Sequence, residues 1–236
     1  MSAGSEADDT GAPFVVACTP PLLTARFAVP HRTLGWSLLH PGFAVARDIV
    51  WVEVRNADLG PAVDPVSFVR DRLVAAGLPD ALAFLTSRDI RRHHLRRRAV
   101  DGVTATCLTT VGLSNGERIG TRRPGRSFPG TINTLAQVSV PLTDGALVEA
   151  LSLVAAARTA AILESRQAAP GTAITGTGTD CIVMAAPCDG AGAPHAYAGM
   201  HTALGEALGA AVYDATRAAA EQWDRDFAIL TGAASG

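Results

Sequence analysis

The second half of the chain alternates short apolar runs with two long helical patterns, and this order is the strongest constraint on its fold. The run Ile132–Val140 predicts a strand, and Thr143 or Asp144 caps the helical pattern that follows it. A second predicted strand, Cys181–Ala186, precedes a helical pattern over about 201–229. Because an amphipathic helix buries one face, we expect both helices to pack on the same face of a sheet.

The first half contains shorter β-like runs bounded by Pro, Gly or Asn, which indicates hairpins and a mixed or antiparallel sheet. Pro65–Ala76 is typical of a helix, and the Thr-rich run Val103–Val111 is typical of a strand. We predict an α+β fold with long helices packed on one sheet, with an α/β arrangement as the alternative. Residues 13–230 are predicted to form a single domain, between a disordered tail at 1–12 and a flexible tail at 231–236. The earliest predicted strands are Phe14–Cys18, Thr24–Val29, Leu34–Leu39 and Asp48–Val54.

Composition favours small-molecule chemistry over binding to nucleic acid or to a membrane. The chain has 236 residues and a net charge of −2, so no overall charge attracts it to polyanions. Every basic residue is arginine, which excludes catalysis by a lysine amine. The N-terminus is acidic and polar. The longest apolar helical stretch, about Ala146–Leu163, carries Glu149 and Arg158 and is expected to fall short of a bilayer span. We therefore expect a cytoplasmic protein with no membrane insertion and no nucleic-acid partner.

The run Gly176-Thr-Gly-Thr-Asp180 is the sharpest candidate for a functional site. Its glycines allow a tight turn that approaches a ligand closely, and its threonines and aspartate add hydroxyls and a charge at the start of a strand. About twenty residues later, His201 and Glu206 stand at the head of the last helical pattern. A polar turn between strands is the plain alternative for the same five residues.

Several short motifs occur along the chain in a set order. They are Ser114-Asn115, Gly130-Thr-Ile-Asn133, Asp144-Gly-Ala-Leu147, Gly176-Thr-Gly-Thr-Asp180 and Tyr197-Ala-Gly-Met-His-Thr-Ala-Leu-Gly-Glu206. Together they resemble those of the adenosylcobinamide amidohydrolases over roughly residues 34–216. The resemblance implies a cytoplasmic enzyme of corrinoid salvage, whose small-molecule partner is its corrinoid substrate. Such an enzyme hydrolyses the amide that joins the aminopropanol arm to the corrin ring, releasing adenosylcobyric acid and 1-amino-2-propanol.

Amide cleavage needs an activated water molecule, a donor for the developing oxyanion and a proton for the departing amine. Within the motifs, we assign Asp180 as the base, His201 as the acid and Glu206 as the residue that orients them. Backbone N–H groups of the glycine turn, with its two hydroxyls, are the predicted oxyanion donors. The predicted substrate-binding residues are Ser114, Asn115, Thr131, Asn133, Gly176, Thr177, Gly178, Thr179 and Thr202.

Each assignment has an alternative. Asp180 can simply cap the turn, Thr202 can be the N-cap of the last helix, and Glu206 can be a solvent-facing carboxylate favoured by the helix dipole. No protein-bound cofactor is predicted, and the metal alternative makes Asp180, His201 and Glu206 the ligands of a hydrolytic Zn²⁺. In a third mechanism, the chain cleaves itself after Gly130, and the Thr131 freed by this cleavage acts as the nucleophile.

Two other classes of function stay open: a corrinoid-binding protein without turnover, and an unrelated amidase or acyl-transfer enzyme. The arginine-rich segment Arg88–Arg98 is predicted to be a solvated basic helix face. Trp36 and Trp51 lie in predicted strands and are expected in the core. Alanine-rich faces on the two long helices allow packing against the sheet or against a second subunit, so a homo-oligomer is possible.

Overall fold

A computed structural model describes residues 11–121, 130–165, 173–190 and 192–231. The predicted tails at 1–12 and 231–236 lie almost entirely outside these ranges. The helices are α1 (Pro65–Ala75), α2 (Asp144–Ser165) and α3 (Ala203–Thr231). The strands are β1 (Phe14–Thr19), β2 (Leu22–Gly35), β3 (Gly42–Glu53), β4 (Leu82–Thr86), β5 (His94–Val100), β6 (Val103–Val111), β7 (Gly116–Glu117), β8 (Ile132–Val138), β9 (Gly176–Thr177) and β10 (Cys181–Pro187).

One large mixed sheet organises the described chain. Its strand order is β4-β3-β2-β10-β8-β6-β5, and β1 forms an additional pair with β2. The pairs β3–β4 and β8–β10 are parallel, and the other pairs in this sheet are antiparallel. A separate two-stranded sheet joins β7 to β9. This architecture confirms the predicted α+β fold.

Both long helices pack on one face of the sheet and against each other. The spacing of four residues along α3 places Ala207, Ala211 and Ala215 on one buried stripe, whose small side chains let the helix approach closely. The opposite face of the sheet buries large side chains, among them Phe27, Trp51 and Phe84. The chain therefore buries apolar residues on both faces, which is why its strands are so apolar.

Three local predictions differ from the structure. The predicted strand Thr24–Val29 and the first two residues of the predicted strand Leu34–Leu39 belong to one strand, β2, which ends at Gly35. Its register is irregular between Arg26 and His31, where Pro30 cannot donate to the ladder. Trp36 follows that strand and is 42% exposed instead of buried, whereas Trp51 is buried as expected. The prediction of a basic helix over Arg88–Arg98 is wrong: a short 3₁₀ turn leads into β5, which pairs along its whole length with β6.

Helix α2 is the one helix in the described residues that is long and apolar enough, by length and composition, to cross a membrane. Its 22 residues correct the expectation that this stretch falls short of a bilayer span. The core helix of a globular protein meets the same criteria. Here α2 packs on α3 and β10, and its Arg158 forms a buried ion pair.

Candidate active site

The strand pairings define two ends of the sheet. At one end β6 finishes and β8 and β10 begin, with Val111 opposite Ile132 and Cys181 opposite Asn133. We call this the loop end. At the other end β8 and β10 finish and α2 and α3 begin, and we call it the helix-start end. Nearly all the predicted binding residues lie at the loop end.

Asp180 lies at the loop end, and its carboxylate is occupied by the protein itself. Its oxygens accept hydrogen bonds from the N–H groups of Ile132 and Thr177, both at 3.0 Å, and from the Thr177 hydroxyl. The Arg158 guanidinium lies 3.1 Å away, and the two side chains are only 8% and 12% exposed. Burial raises the pKa of Asp180, while Arg158 and the hydrogen bonds oppose that rise. The arrangement makes Asp180 a structural anchor of the turn, so the predicted role as a water-activating base does not fit its contacts.

The same contacts change the role of the glycine turn. Thr177 directs both its N–H and its hydroxyl at Asp180, and the Gly178 N–H points to the Asn115 backbone oxygen at 3.4 Å. These two N–H groups are therefore committed within the protein instead of facing an oxyanion. Gly176 is buried in β9, where an added Cβ would collide with the Asp180 carboxylate, so this position requires glycine.

Thr131 and Asn133 begin β8 beneath the turn. The Thr131 hydroxyl donates to the Thr179 backbone oxygen at 2.7 Å, and the Thr179 hydroxyl donates to the Gly130 carbonyl oxygen at 3.1 Å. Asn133 is fully buried, and its amide donates to the Leu85 oxygen at 3.0 Å. Thr131 and Thr179 thus join the two loops of this end, and Asn133 is an internal residue of the sheet.

A cavity of about 530 Å³ opens at the loop end, within the size range of small-molecule sites. Asn115 and Gly178, both predicted to bind substrate, line it. Glu117 is the carboxylate in its wall, and Gly120 and Thr121 complete the lining. Ser114 lies directly before Asn115 in the same loop and is partly buried.

Glu117 is the residue that sequence reasoning missed. It lies in β7, opposite Gly176 of β9, and one of its carboxylate oxygens is buried with no hydrogen-bond partner among the described residues. An unpaired buried acceptor costs free energy, and because its residue lines the cavity, Glu117 is a candidate to contact a ligand there. The available signal was its position at the start of a long Gly- and Pro-rich loop, where functional residues often occur.

His201, Thr202 and Glu206 lie at the helix-start end. The chain after β10 runs beside the start of α2: the His195 N–H donates to the Pro141 oxygen at 2.9 Å, and the Ala198 N–H donates to the Glu149 carboxylate at 2.6 Å. The length of β8, seven residues at about 3.3 Å each, therefore separates these residues from Asp180 by roughly 20 Å. The structure therefore does not bring Asp180, His201 and Glu206 into one pocket, and for the same reason these three residues cannot ligate a single Zn²⁺.

The motif around His201 has a structural explanation. Thr202 is the N-cap of α3: its hydroxyl accepts from the Gly205 N–H at 2.9 Å and donates to the Gly199 oxygen at 2.8 Å. A Cβ on Gly205 would collide with the Gly199 oxygen, so position 205 requires glycine for this tight start. His201 and Glu206 are exposed. The alternatives of an N-cap and of a first-turn carboxylate describe Thr202 and Glu206 better than a catalytic role.

Comparison with known proteins assigns the class to which this fold and cavity belong. The family model for adenosylcobinamide amidohydrolases matches residues 8–227. An adenosylcobinamide amidohydrolase of Halobacterium salinarum is 32% identical over 167 residues, which cover 66% of this chain and 67% of the relative. The chain belongs to the adenosylcobinamide amidohydrolase family, and it is therefore an amidohydrolase enzyme.

Two solved structures share only a distant likeness. A β-aminopeptidase of a Burkholderia species aligns with a TM-score of 0.48 and 14% identity, over 84% of this chain and 78% of its own. A protein of Pyrococcus horikoshii OT3 aligns with a TM-score of 0.41 and 13% identity, over 84% of this chain and 76% of its own. At this level of likeness, neither structure bears on the function.

Proposed function

We propose that this protein hydrolyses the amide between the aminopropanol arm and the corrin ring of adenosylcobinamide. The products are adenosylcobyric acid and 1-amino-2-propanol, and the reaction serves cobalamin salvage in the cytoplasm without a metal cofactor. Membership of the family supports the substrate class. The observation that carries the location is the loop-end cavity, which Asn115 and Glu117 line; one Glu117 carboxylate oxygen has no hydrogen-bond partner among the described residues.

The size of the cavity determines which part of the substrate enters it. Its volume of about 530 Å³ suits a ligand of ordinary drug size, whereas a corrin with its axial adenosyl group is far larger. The aminopropanol arm and the amide to be cleaved therefore enter the cavity, and the macrocycle stays at its mouth. Polar groups in the wall then orient the amide.

The chemistry follows from the two polar side chains. The Asn115 side-chain amide lies close to Gly178: a Cβ built on Gly178 would be 3.3 Å from the amide nitrogen. A substrate carbonyl bound beside Gly178 can accept from the N–H donors of this amide. Glu117 acts on the nitrogen of the amide to be cleaved and passes a proton to the departing amine, because an unprotonated amide nitrogen is too poor a leaving group. Asp180 and Arg158 hold the turn that forms the opposite wall.

The test is to incubate the purified protein with adenosylcobinamide and to separate the products by chromatography, with and without a chelator. Release of cobyric acid and aminopropanol that chelation leaves unchanged is the expected result. Tight binding without release would favour a corrinoid carrier. Loss of turnover on chelation, restored by a divalent metal ion, would contradict metal-free hydrolysis.

A further inference from the structure

The peptide bond between Gly130 and Thr131 lies directly before β8, and both of its sides contact Thr179. The Thr131 hydroxyl belongs to a residue that is 5% exposed, and it donates to the Thr179 backbone oxygen at 2.7 Å. It also lies 3.4 Å from the Asn133 amide oxygen. The Gly130 carbonyl oxygen accepts from the Thr179 hydroxyl at 3.1 Å. The backbone oxygen of Thr179 thus holds the Thr131 hydroxyl, and the Thr179 side chain polarises the Gly130 carbonyl.

Gly130 packs closely against the backbone of the loop that holds Ser114 and Asn115. A Cβ on Gly130 would lie 2.8 Å from the Asn115 nitrogen and 3.0 Å from the Ser114 nitrogen, which is tighter than side chains tolerate. The position therefore needs glycine, which places no side chain beside the carbonyl. On the other side, the Gly112 N–H donates to the Thr131 oxygen at 2.9 Å and fixes the start of the strand.

We propose that the Gly130–Thr131 bond cleaves itself. The Thr131 oxygen attacks the Gly130 carbonyl carbon through a five-membered ring, with the developing oxyanion held by the Thr179 hydroxyl. The C–N bond breaks as the hydroxyl proton moves to the Thr131 nitrogen, which leaves an ester between Gly130 and the Thr131 oxygen. Water then hydrolyses the ester to a carboxylate on Gly130 and a free hydroxyl on Thr131. The net change is the addition of one water molecule.

Self-cleavage gives the loop end an activated nucleophile, a function that neither Asp180 nor His201 fulfils there. Asp180 is fully engaged and His201 lies at the far end of the sheet. An N-terminal threonine carries an α-amine whose ordinary pKa is about 7.7–8.0, and this amine acts as the base for its own hydroxyl. The second step, in which Thr131 attacks the substrate amide, rests on the proposed function. The cleavage itself does not.

The experiment is denaturing mass spectrometry of the purified full chain, followed by N-terminal sequencing. We expect two polypeptides, residues 1–130 and 131–236, whose masses together equal the 24.3 kDa chain plus one water molecule. Thr131→Val should remain one chain, and Thr131→Ser should still cleave. The matched control is Thr33→Val, because Thr33 is 1% exposed and also donates from its hydroxyl to a backbone oxygen, of Ala44 at 3.2 Å. This control should cleave as the unsubstituted protein does.

Three outcomes overturn the inference. The first is a protein that turns over adenosylcobinamide while it remains one intact chain, a result that leaves the proposed function standing. The second is cleavage that persists in Thr131→Val, which would identify an external protease. The third is a cut at any other bond. A protein cut before Thr131 that does not hydrolyse adenosylcobinamide supports the inference and contradicts the proposed function instead.

Discussion

The carboxylate of Asp180 accepts three hydrogen bonds and forms an ion pair with Arg158, and its side chain is almost fully buried. Breaking one side of a buried ion pair costs about 3–5 kcal/mol, because the remaining charge stays buried without a partner. We expect Asp180→Asn to lower the free energy of unfolding by about that amount, as measured by urea denaturation. Asp144→Asn is the matched control. Asp144 pairs with Arg32 while 71% exposed, so its loss should cost at most about 1 kcal/mol. Equal effects of the two substitutions would contradict the anchoring role.

Glu117 is expected to behave in the opposite way, with an effect on catalysis and little effect on stability. One of its carboxylate oxygens is buried and makes no hydrogen bond with the described residues, so Glu117→Gln breaks no hydrogen bond to them at that oxygen. A general acid or base contributes about 10²–10⁴-fold, and we expect Glu117→Gln to lower kcat by at least about 10²-fold. Glu206→Gln, at the helix-start end, serves as the control and should keep kcat within about threefold. A similar loss in both variants would contradict the placement of the site.

Sequence reasoning identified most residues of the loop end but not their roles. The spacing of two glycines, two threonines and an aspartate predicted a tight turn before a strand, and the structure has that turn. It does not reveal that Asp180 is saturated, because Ile132 and Arg158 come from distant parts of the chain. Glu117 was missed because its significance depends on the pairing of β7 with β9, two strands of two residues each.

At the scale of the element, the start of α3 is held by its own cap. Replacing an N-cap threonine by alanine costs about 0.5–2 kcal/mol, because an orphan N–H of the first turn loses its acceptor. We expect Thr202→Ala to lower the free energy of unfolding within that range and to leave KM for adenosylcobinamide unchanged. Urea denaturation and steady-state kinetics check the two parts. A raised KM at unchanged stability would restore Thr202 to the substrate site.

His94, the first residue of β5, makes the free energy of unfolding depend on pH. Burial, with the positive charges of Arg96, His93, Arg88 and Arg225, lowers the pKa of His94 from 6.5 to about 4. Between these values the unfolded chain binds a proton that the folded chain does not, so stability falls as the pH drops from 6.5 to about 4. We expect His94→Gln to flatten the plot of unfolding free energy against pH in this window. An unaltered slope in His94→Gln would contradict the assignment.

The elements that could be predicted are those whose pattern is long and regular. The two long helices and strands β8 and β10 follow from apolar periodicity, whereas β5 was mistaken for a helix because its arginines dominate the local composition. Its pairing with β6 and the ion pair between Arg98 and Asp214 of α3 are tertiary contacts that local sequence does not contain. Pro30 similarly divided β2 into two predicted strands.

At the scale of the whole molecule, the two ends of the sheet have separate tasks. A strand places the residue before it and the residues after it at opposite ends, so β10 alone separates Asp180 from His201. This separation was within reach of sequence reasoning, because the predicted strand Cys181–Ala186 already stood between them. We expect His201→Ala to keep kcat within about threefold of the unsubstituted enzyme. A loss of 10²-fold or more, measured by the same product assay, would place chemistry at the helix-start end.

The strand order has a consequence for a protein nicked at residue 130. Strands β8 and β10 come from the carboxyl-terminal piece, yet they are inserted between β2 on one side and β6 on the other, both from the amino-terminal piece. The strands of the two pieces alternate in the sheet, so neither piece can dissociate until the backbone hydrogen bonds of the pairs β2–β10 and β6–β8 are broken. A nicked molecule would therefore migrate through a sizing column as a single particle, and only a denaturant would reveal that it consists of two polypeptides.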